Sequence, residues 1–507
     1  MAAPRRSVTR EVNVVAGHER RYLSMNRAAL IFLPALLVTV SCEDARQPAQ
    51  SMPPALSRTP STVLSFTNTP LLRPDGNSEP EITIAANGAM GMVGLSLGLA
   101  ADRQFGTSLW TGPFGATPTF QGIIDAALQQ PGRIEFGGED ADVDFGSTGA
   151  LHLTTLLFLG NPTLFSGQLG VSAISCPNAA SAFSVATCRS QIIDITESDR
   201  SWITSDGPRV FISYHDAGNS TLIHVQRSDD DGVTWHRVGD PIVGQGGVTG
   251  QSTFNNDQGK IVADPVTHNV YDIYAAGEVG ILKAKTTDFD HIYVSRSTDG
   301  GMTWTAVLVF HAATPVGLNN VFPALAVDPT NGAVHAAWSD GHTVSYSTSS
   351  DQGVTWSPAV VVNVAPASTA LFPWLAAHDG VVDLVYYGTT ASSKDDPTAV
   401  WNVYVAQAKN GGAFQQSRVS NTPNHEGVIC TAGTGCARGT RNLLDLFQVA
   451  LDPRSDKAAV IYTDDTIVEL RFYLSSRLTT PSAVPTVASA VGAQNMNIHL
   501  MTSARTF

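Results

Sequence analysis

Five short stretches of this chain set charged residues side by side in a way that permits acid–base chemistry. They hold Glu79 with Glu81, Glu139 with Asp140, Asp199 with Arg200, Asp257 with Lys260, and Arg441 with Asp445. Carboxylates gathered around a few cations acquire separated pKa values, so that one group donates a proton while its neighbour stays ionised. Arginine stays charged near neutral pH and grips a carboxylate through a two-pronged fork. Tyr386 and Tyr387 end an apolar run, from which a phenol can reach a channel; the competing reading for such aromatics is core packing. The competing reading for each charged stretch is a solvated loop end.

Chemistry would require these stretches to converge, and an internal repeat supplies the means. The clearest unit runs from Phe322 through Asp328-Pro329, turns at Asn331-Gly332, and returns through Ala333 to Trp338. It reads as two strands and a tight turn. Related units begin near Pro80, Ala141, Trp202, Ile261, Phe372 and Phe447. Seven such units at intervals of roughly 50 to 75 residues suit four-stranded blades with some long loops. The expected fold is therefore an all-β propeller spanning about residues 61–478, with seven blades favoured and six as the alternative. The charged stretches precede the inner strands and would meet at one mouth of the central channel. The final unit offers a third strand at Glu469–Leu474. Thr62–Phe66 is the candidate fourth strand, which would pair the two chain ends and remove an open sheet edge.

Three copies of S-x-D-x-G-x-T-W lie within this repeat. They comprise Ser228, Asp230, Gly232, Thr234 and Trp235; Ser297, Asp299, Gly301, Thr303 and Trp304; and Ser349, Asp351, Gly353, Thr355 and Trp356. Each follows a β-rich run and precedes another. The Asp can accept bonds from the turn's own N–H groups, the Gly tolerates positive φ, and the Trp can cover the hairpin. The motif resembles the Asp box, or BNR repeat, of the sialidase superfamily. All of its residues have structural work, so it speaks for the propeller and not for catalysis.

The resemblance implies a glycoside hydrolase of the exo-sialidase type. Such an enzyme uses three Arg for the substrate carboxylate, a Tyr nucleophile activated by a Glu, and an Asp acid/base. The family's early Arg-Ile-Pro is absent; Arg133-Ile134-Glu135 is the nearest text. The catalytic candidates are Arg200, Arg441, Asp199, Glu139 and Tyr387, and no third Arg matches. A non-catalytic propeller that binds a glycan or protein, or a structural platform, is the alternative. Gly94-Leu95-Ser96-Leu97-Gly98 matches the nucleophile motif of serine hydrolases, but that motif needs a strand–turn–helix elbow and this copy lies in a strand. His152 and His335 occupy equivalent strand positions, which suggests packing.

The ends of the chain and its cysteines speak to location. Met25-Asn26-Arg27, an apolar run to Val40 and Ser41-Cys42 read as a secretory signal over residues 1–41. Thr39-Val40-Ser41-Cys42 resembles a bacterial lipobox, which implies a lipid on Cys42 and a polar tether over 42–60; plain signal cleavage is the alternative. Cys176 lies near Cys188, and Cys430 near Cys436, so two short disulfides and one lipidated Cys would use all five. That suits an oxidising compartment, the periplasm, cell surface or exterior. No metal or cofactor is expected. Residues 1–41 hold six Arg and two Glu, so their removal takes the net charge from −14 to −18. Such a surface repels nucleic acid and anionic membranes, leaving a lipid anchor as the only membrane contact. The expected partner is a glycan or other extracellular ligand at the mouth of a monomer. The tail, residues 479–507, has no assigned role.

Overall fold

Apolar strands punctuated by Asp-Pro and Asn-Gly turns fold here into antiparallel meanders. The computed structural model describes residues 64–466 and 497–503, apart from segments at 72–76, 98–104, 129–134, 162–165, 196–197, 217–221, 243–255, 278–288 and 314–315. All of them lie in the larger of two units, Ala49–Phe507. The segment read as a signal, Cys42, the tether and Glu469–Leu474 fall outside the described residues.

Among the described residues the strands form seven antiparallel sheets. Six are built from strands consecutive in the chain, and their innermost strands are Asn77–Ile84, Glu135–Phe145, Ser198–Asp206, Asn256–Ala263, Ala324–Val327 and Thr369–His378. We call these blades 1 to 6. The seventh sheet joins the chain ends in the order Gln448–Asp452, Lys457–Asp464, Asn497–Ser503, Phe66–Pro70. Each innermost strand contacts the next, and Gln448–Asp452 contacts Asn77–Ile84. The ring is thus a closed β-propeller.

The closing sheet differs from expectation in two places. The N-terminal strand does lie outermost, but it covers Phe66–Pro70, from Phe66↔Ser503 to Pro70↔His499. The third strand is Asn497–Ser503, drawn from the tail. The tail carries small residues and lacks a strong alternating pattern, so its strand character is not evident before its partners are in place.

Middle strands face neighbours on both sides and are largely apolar. Val270–Ala276 and Val381–Thr389 are buried at every position, as strands covered on both faces must be. Trp110, Trp202, Trp338 and Trp401 are the largest fully buried side chains. His152 is buried against Ser175 and Asp231, and His335 against Tyr346 and Thr348, which are packing roles. Gly94–Gly98 begins inside the strand Ala89–Leu97, which excludes an elbow there.

The three S-x-D-x-G-x-T-W turns repeat one bonding pattern. In the second, Ser297 Oγ donates to Asp299 at 2.8 Å, while Asp299 accepts from Thr303 N–H at 2.9 Å and from its hydroxyl at 2.6 Å. The Gly301 N–H returns to Ser297 Oγ at 2.8 Å, and Gly301 adopts φ +86°. The first and third copies match it bond for bond. These bonds hold the Asp299 carboxyl below its usual range, against what desolvation there would do. The three Trp rings are half-buried, so they shield the hairpins without entering the core.

Asp299→Ala is expected to destabilise the fold by about 1–2 kcal/mol, as loss of a small hydrogen-bond cluster does. Urea denaturation checks this. Ligand affinity of the folded protein should not change, and a stable variant that no longer binds would contradict the structural role.

Candidate functional site

One irregularity recurs where the inner strands enter the ring. The pairing register shifts between Ser78 and Glu81, Glu139 and Asp142, Asp199 and Ser201, Gln258 and Ile261, and Leu371 and Trp374. These are β-bulges at the same place in blades 1, 2, 3, 4 and 6. Glu79, Asp140, Arg200 and Phe372 sit in the bulges with φ of 49°, 46°, 56° and 56°. Such left-handed conformations are strained for residues with a Cβ, and both they and bulges concentrate where a side chain must be re-aimed. Blade 4 places Gly259 there instead, because a Cβ would lie 1.9 Å from the Pro323 carbonyl oxygen.

The bulges of blades 1, 2 and 3 aim Glu79, Asp140 and Arg200 into a cavity of about 740 Å³. Its wall includes Glu79, Asp140, Asp199, Asp257 and Asp445, and two cations, Arg200 and Arg441. The loop before Gln448–Asp452 supplies Thr431, Ala432, Gly433 and Arg441, and the Cys430–Cys436 disulfide staples that loop. Arg200 donates to Asp140 at 2.7 Å and to Asp445, with Glu79 3.9 Å away. Its guanidinium also lies 4.2 Å over the Phe322 ring. Arg441 pairs with Asp445 through both Nε and Nη2. Burial alone would depress Arg200, but Asp140 and Asp445 outweigh it and hold the group charged. Burial would raise Asp445, and the two arginines reverse that and keep it ionised. Among the described residues Asp257 has no such partner, and desolvation pushes it up to about 6 despite Arg200.

Aromatic side chains cross the channel. Trp202 of blade 3 lies 5.2 Å from the Trp374 ring of blade 6 and 5.9 Å from Phe322. Beside them Lys260 of blade 4 donates to both oxygens of Asp142 in blade 2, at 2.6 and 2.8 Å. Burial works against Lys260, and Asp142 and Glu81 overcome it, holding the ammonium charged. Glu81 is fully buried with neither oxygen bonded, and desolvation, then Asp142, drive its pKa well up.

Arg200, Arg441 and Asp199 come together in the cavity wall. Glu139 lies on the inner strand of blade 2, but its side chain is outside the described residues. Tyr387 does not line the cavity. It is fully buried, stacked 4.1 Å from Phe447, with its hydroxyl accepting from the Thr463 N–H. Burial raises its pKa far above that of a free phenol, so it packs in the core and is not poised as a nucleophile. Gln258, Asn319 and His215 also line the cavity and had no mark in the sequence, and so does Phe322, which the sequence marked only as the start of a repeat unit. A signal was present for the bulges: Glu79-Pro80-Glu81, Asp140-Ala141-Asp142 and Gly259-Lys260 interrupt strand alternation at one register.

No protein-family model and no curated protein matches the chain. Among solved structures it is similar to a Penicillium chrysogenum alpha-L-arabinanase at 12% identity and a TM-score of 0.46, over 70% of this chain and 100% of that one. It is also similar to a Ruminococcus gnavus intramolecular trans-sialidase, at 10% identity and a TM-score of 0.37, over 76% and 89% of the two chains. A protein of unknown function from Dyadobacter fermentans aligns at 13% identity and a TM-score of 0.41, over 70% and 97%.

Two expectations follow from the electrostatics. Arg200→Met should cost about 3–5 kcal/mol, because Asp140 is left as an uncompensated buried charge and Asp445 keeps only Arg441. Arg441→Ala, on the more exposed partner, should cost clearly less, and equal losses in urea denaturation would contradict the assignment. Asp257 titrates higher in the fold than in the unfolded chain, so its ionisation opposes folding. Its favourable contribution is complete below about pH 4 and is lost as pH rises through about 6. Asp257→Asn should therefore gain stability relative to wild type between pH 4 and pH 7, by roughly 1–2 kcal/mol after allowing for solvent at the cavity wall. A difference independent of pH would show that Asp257 titrates normally.

Proposed function

We propose that the mouth cavity binds an uncharged, polyhydroxylated ligand, the end of a glycan chain, in an exported protein. One observation carries the reading. Five carboxylates face two arginines in the wall, and both arginines are already committed to Asp140 and Asp445. Sugar hydroxyls donate well to ionised carboxylates, and Gln258 and Asn319 add amide groups for the remaining bonds. An acidic sugar would have to displace a buried carboxylate from Arg200 and meet a net negative wall. The sialidase likeness of the three Asp-containing turns then extends to scaffold, with a different ligand charge at the mouth.

A catalytic version of this reading rests on Asp257. An acid with pKa about 6 beside ionised carboxylates is the pairing that glycoside hydrolysis uses, one group protonating the leaving oxygen and the other activating water or attacking. Export is supported by the two disulfides, Cys176–Cys188 and Cys430–Cys436, which persist in oxidising compartments. Lipidation of Cys42 completes the proposal, and mass spectrometry that finds an unmodified Cys42 within the mature chain would remove it.

A glycan array tests the site. Neutral glycans should be bound and sialylated ones ignored. Arg441→Ala should alter affinity by less than tenfold, while Asp199→Asn should lower it at least tenfold. Hydrolysis of a bound glycan that is lost in Asp257→Asn would establish the catalytic version. Selective binding or cleavage of sialosides, abolished by Arg441→Ala, would overturn the charge argument and restore the sialidase reading.

A further inference from the structure

Asp290, His291 and His311 form a cluster apart from the mouth cavity, at the start of the third strand of blade 4. His291–Ser297 pairs with Thr305–His311, and the register sets His291 directly opposite His311. Directly opposed residues project from the same sheet face. The two imidazoles accordingly stack, with centroids 4.0 Å apart and planes within 13°. Asp290 precedes His291, and its carbonyl accepts the Ala312 N–H at 2.7 Å, which ties the turn to the end of the partner strand. Its carboxylate lies 2.6 Å from His291 Nδ1 and 3.8 Å from His311 Nε2. One donor atom from each residue falls within 4.8 Å of the others.

Charge shows what this arrangement lacks. The cluster joins one carboxylate to two imidazoles, with His291 only 7% and Asp290 22% exposed. Among the described residues no lysine or arginine pairs with Asp290. Another His–Asp cluster among the described residues differs on that point. His224 sits between Asp216 and Asp240, and there Arg237 bonds both His224 and Asp240 and supplies the cation. Protonating the stacked imidazoles instead would set like charges face to face.

We propose that Asp290, His291 and His311 bind a divalent transition-metal ion of the zinc type. Two imidazole nitrogens and one carboxylate are a ligand set that Zn²⁺ accepts, with water completing a tetrahedron. Adjacent ligand atoms around such an ion lie about 3.3 Å apart, given bonds near 2 Å. The rings therefore tilt and close by roughly an ångström or more, which χ rotations allow. The ladder fixes the two His backbones and the Asp290–Ala312 bond fixes the third, so little backbone ordering opposes binding. The ion joins the two outer strands of the blade and retains an open position towards solvent. Calcium fits poorly, because it prefers six or more oxygen ligands.

The test uses untagged, full-length protein stripped with a chelator. Titration calorimetry with Zn²⁺ should show one site with Kd below about 10 µM at pH 7.5. Co²⁺ should give the visible absorption of a four- or five-coordinate nitrogen–oxygen site. Affinity should fall at least tenfold between pH 7.5 and 5.5, as the imidazoles protonate. His311→Gln, at the edge of the blade, should lose at least a hundredfold in affinity while keeping the wild-type circular dichroism spectrum. Asp290→Asn should lose about tenfold or more and serves as the second variant should His311→Gln be destabilised. Saturating Zn²⁺ should raise the Tm of wild type and not of either variant. Absence of binding tighter than about 100 µM, or equal Zn²⁺ affinity in wild type and both variants, would overturn the proposal.

Discussion

Closing a propeller forces the inner strands together, and here those strands carry acids. Glu79 and Glu81 come from blade 1, Asp140 and Asp142 from blade 2, and Asp257 from blade 4. Packed around a narrow channel they would repel one another in a medium that screens poorly. Two cations make the ring tenable. Arg200 joins blades 2 and 3 to the loop before the seventh sheet through Asp140 and Asp445, and Lys260 joins blades 4 and 2 through Asp142. Glu81 is left over, and burial, with Asp142 beside it, pushes its pKa up. The same carboxylates that strain the ring line the cavity, so the electrostatic cost of closure and the chemistry of the mouth have one origin.

The propeller was legible because its signals are local. Asp264-Pro265, Asp328-Pro329 and Asp452-Pro453 open tight turns, and the three Ser-Asp-Gly-Thr-Trp turns close on bonds within seven residues of sequence. Disulfide pairing was legible for the same reason, since each pair spans a short loop. The third strand of the closing sheet was not. Asn497–Ser503 gains its partners, Lys457–Asp464 and Phe66–Pro70, only when the ring shuts.

The site was half legible. Charge placed ahead of several inner strands singled out Arg200, Arg441, Asp199 and Asp257, which line one cavity. What the arginines do there could not be read, because Arg200 finds Asp140 and Asp445 at sequence separations of 60 and 245. A free arginine and a neutralised one look alike in a sequence. Tyr387 was misplaced for a related reason. A strand covered on both faces buries every residue, so a terminal aromatic gives no sign of which side is open.

The central claim is that ligand enters an acidic, bulge-lined mouth whose arginines serve the scaffold. Hydrogen exchange with and without a glycan hit from the array tests it most directly. The account predicts protection at residues 199–201, 256–258 and 431–445, where the bulges and the stapled loop meet the cavity. Protection confined to the outer strands, or to the opposite end of the channel around residues 85–87 and 376–378, would contradict it.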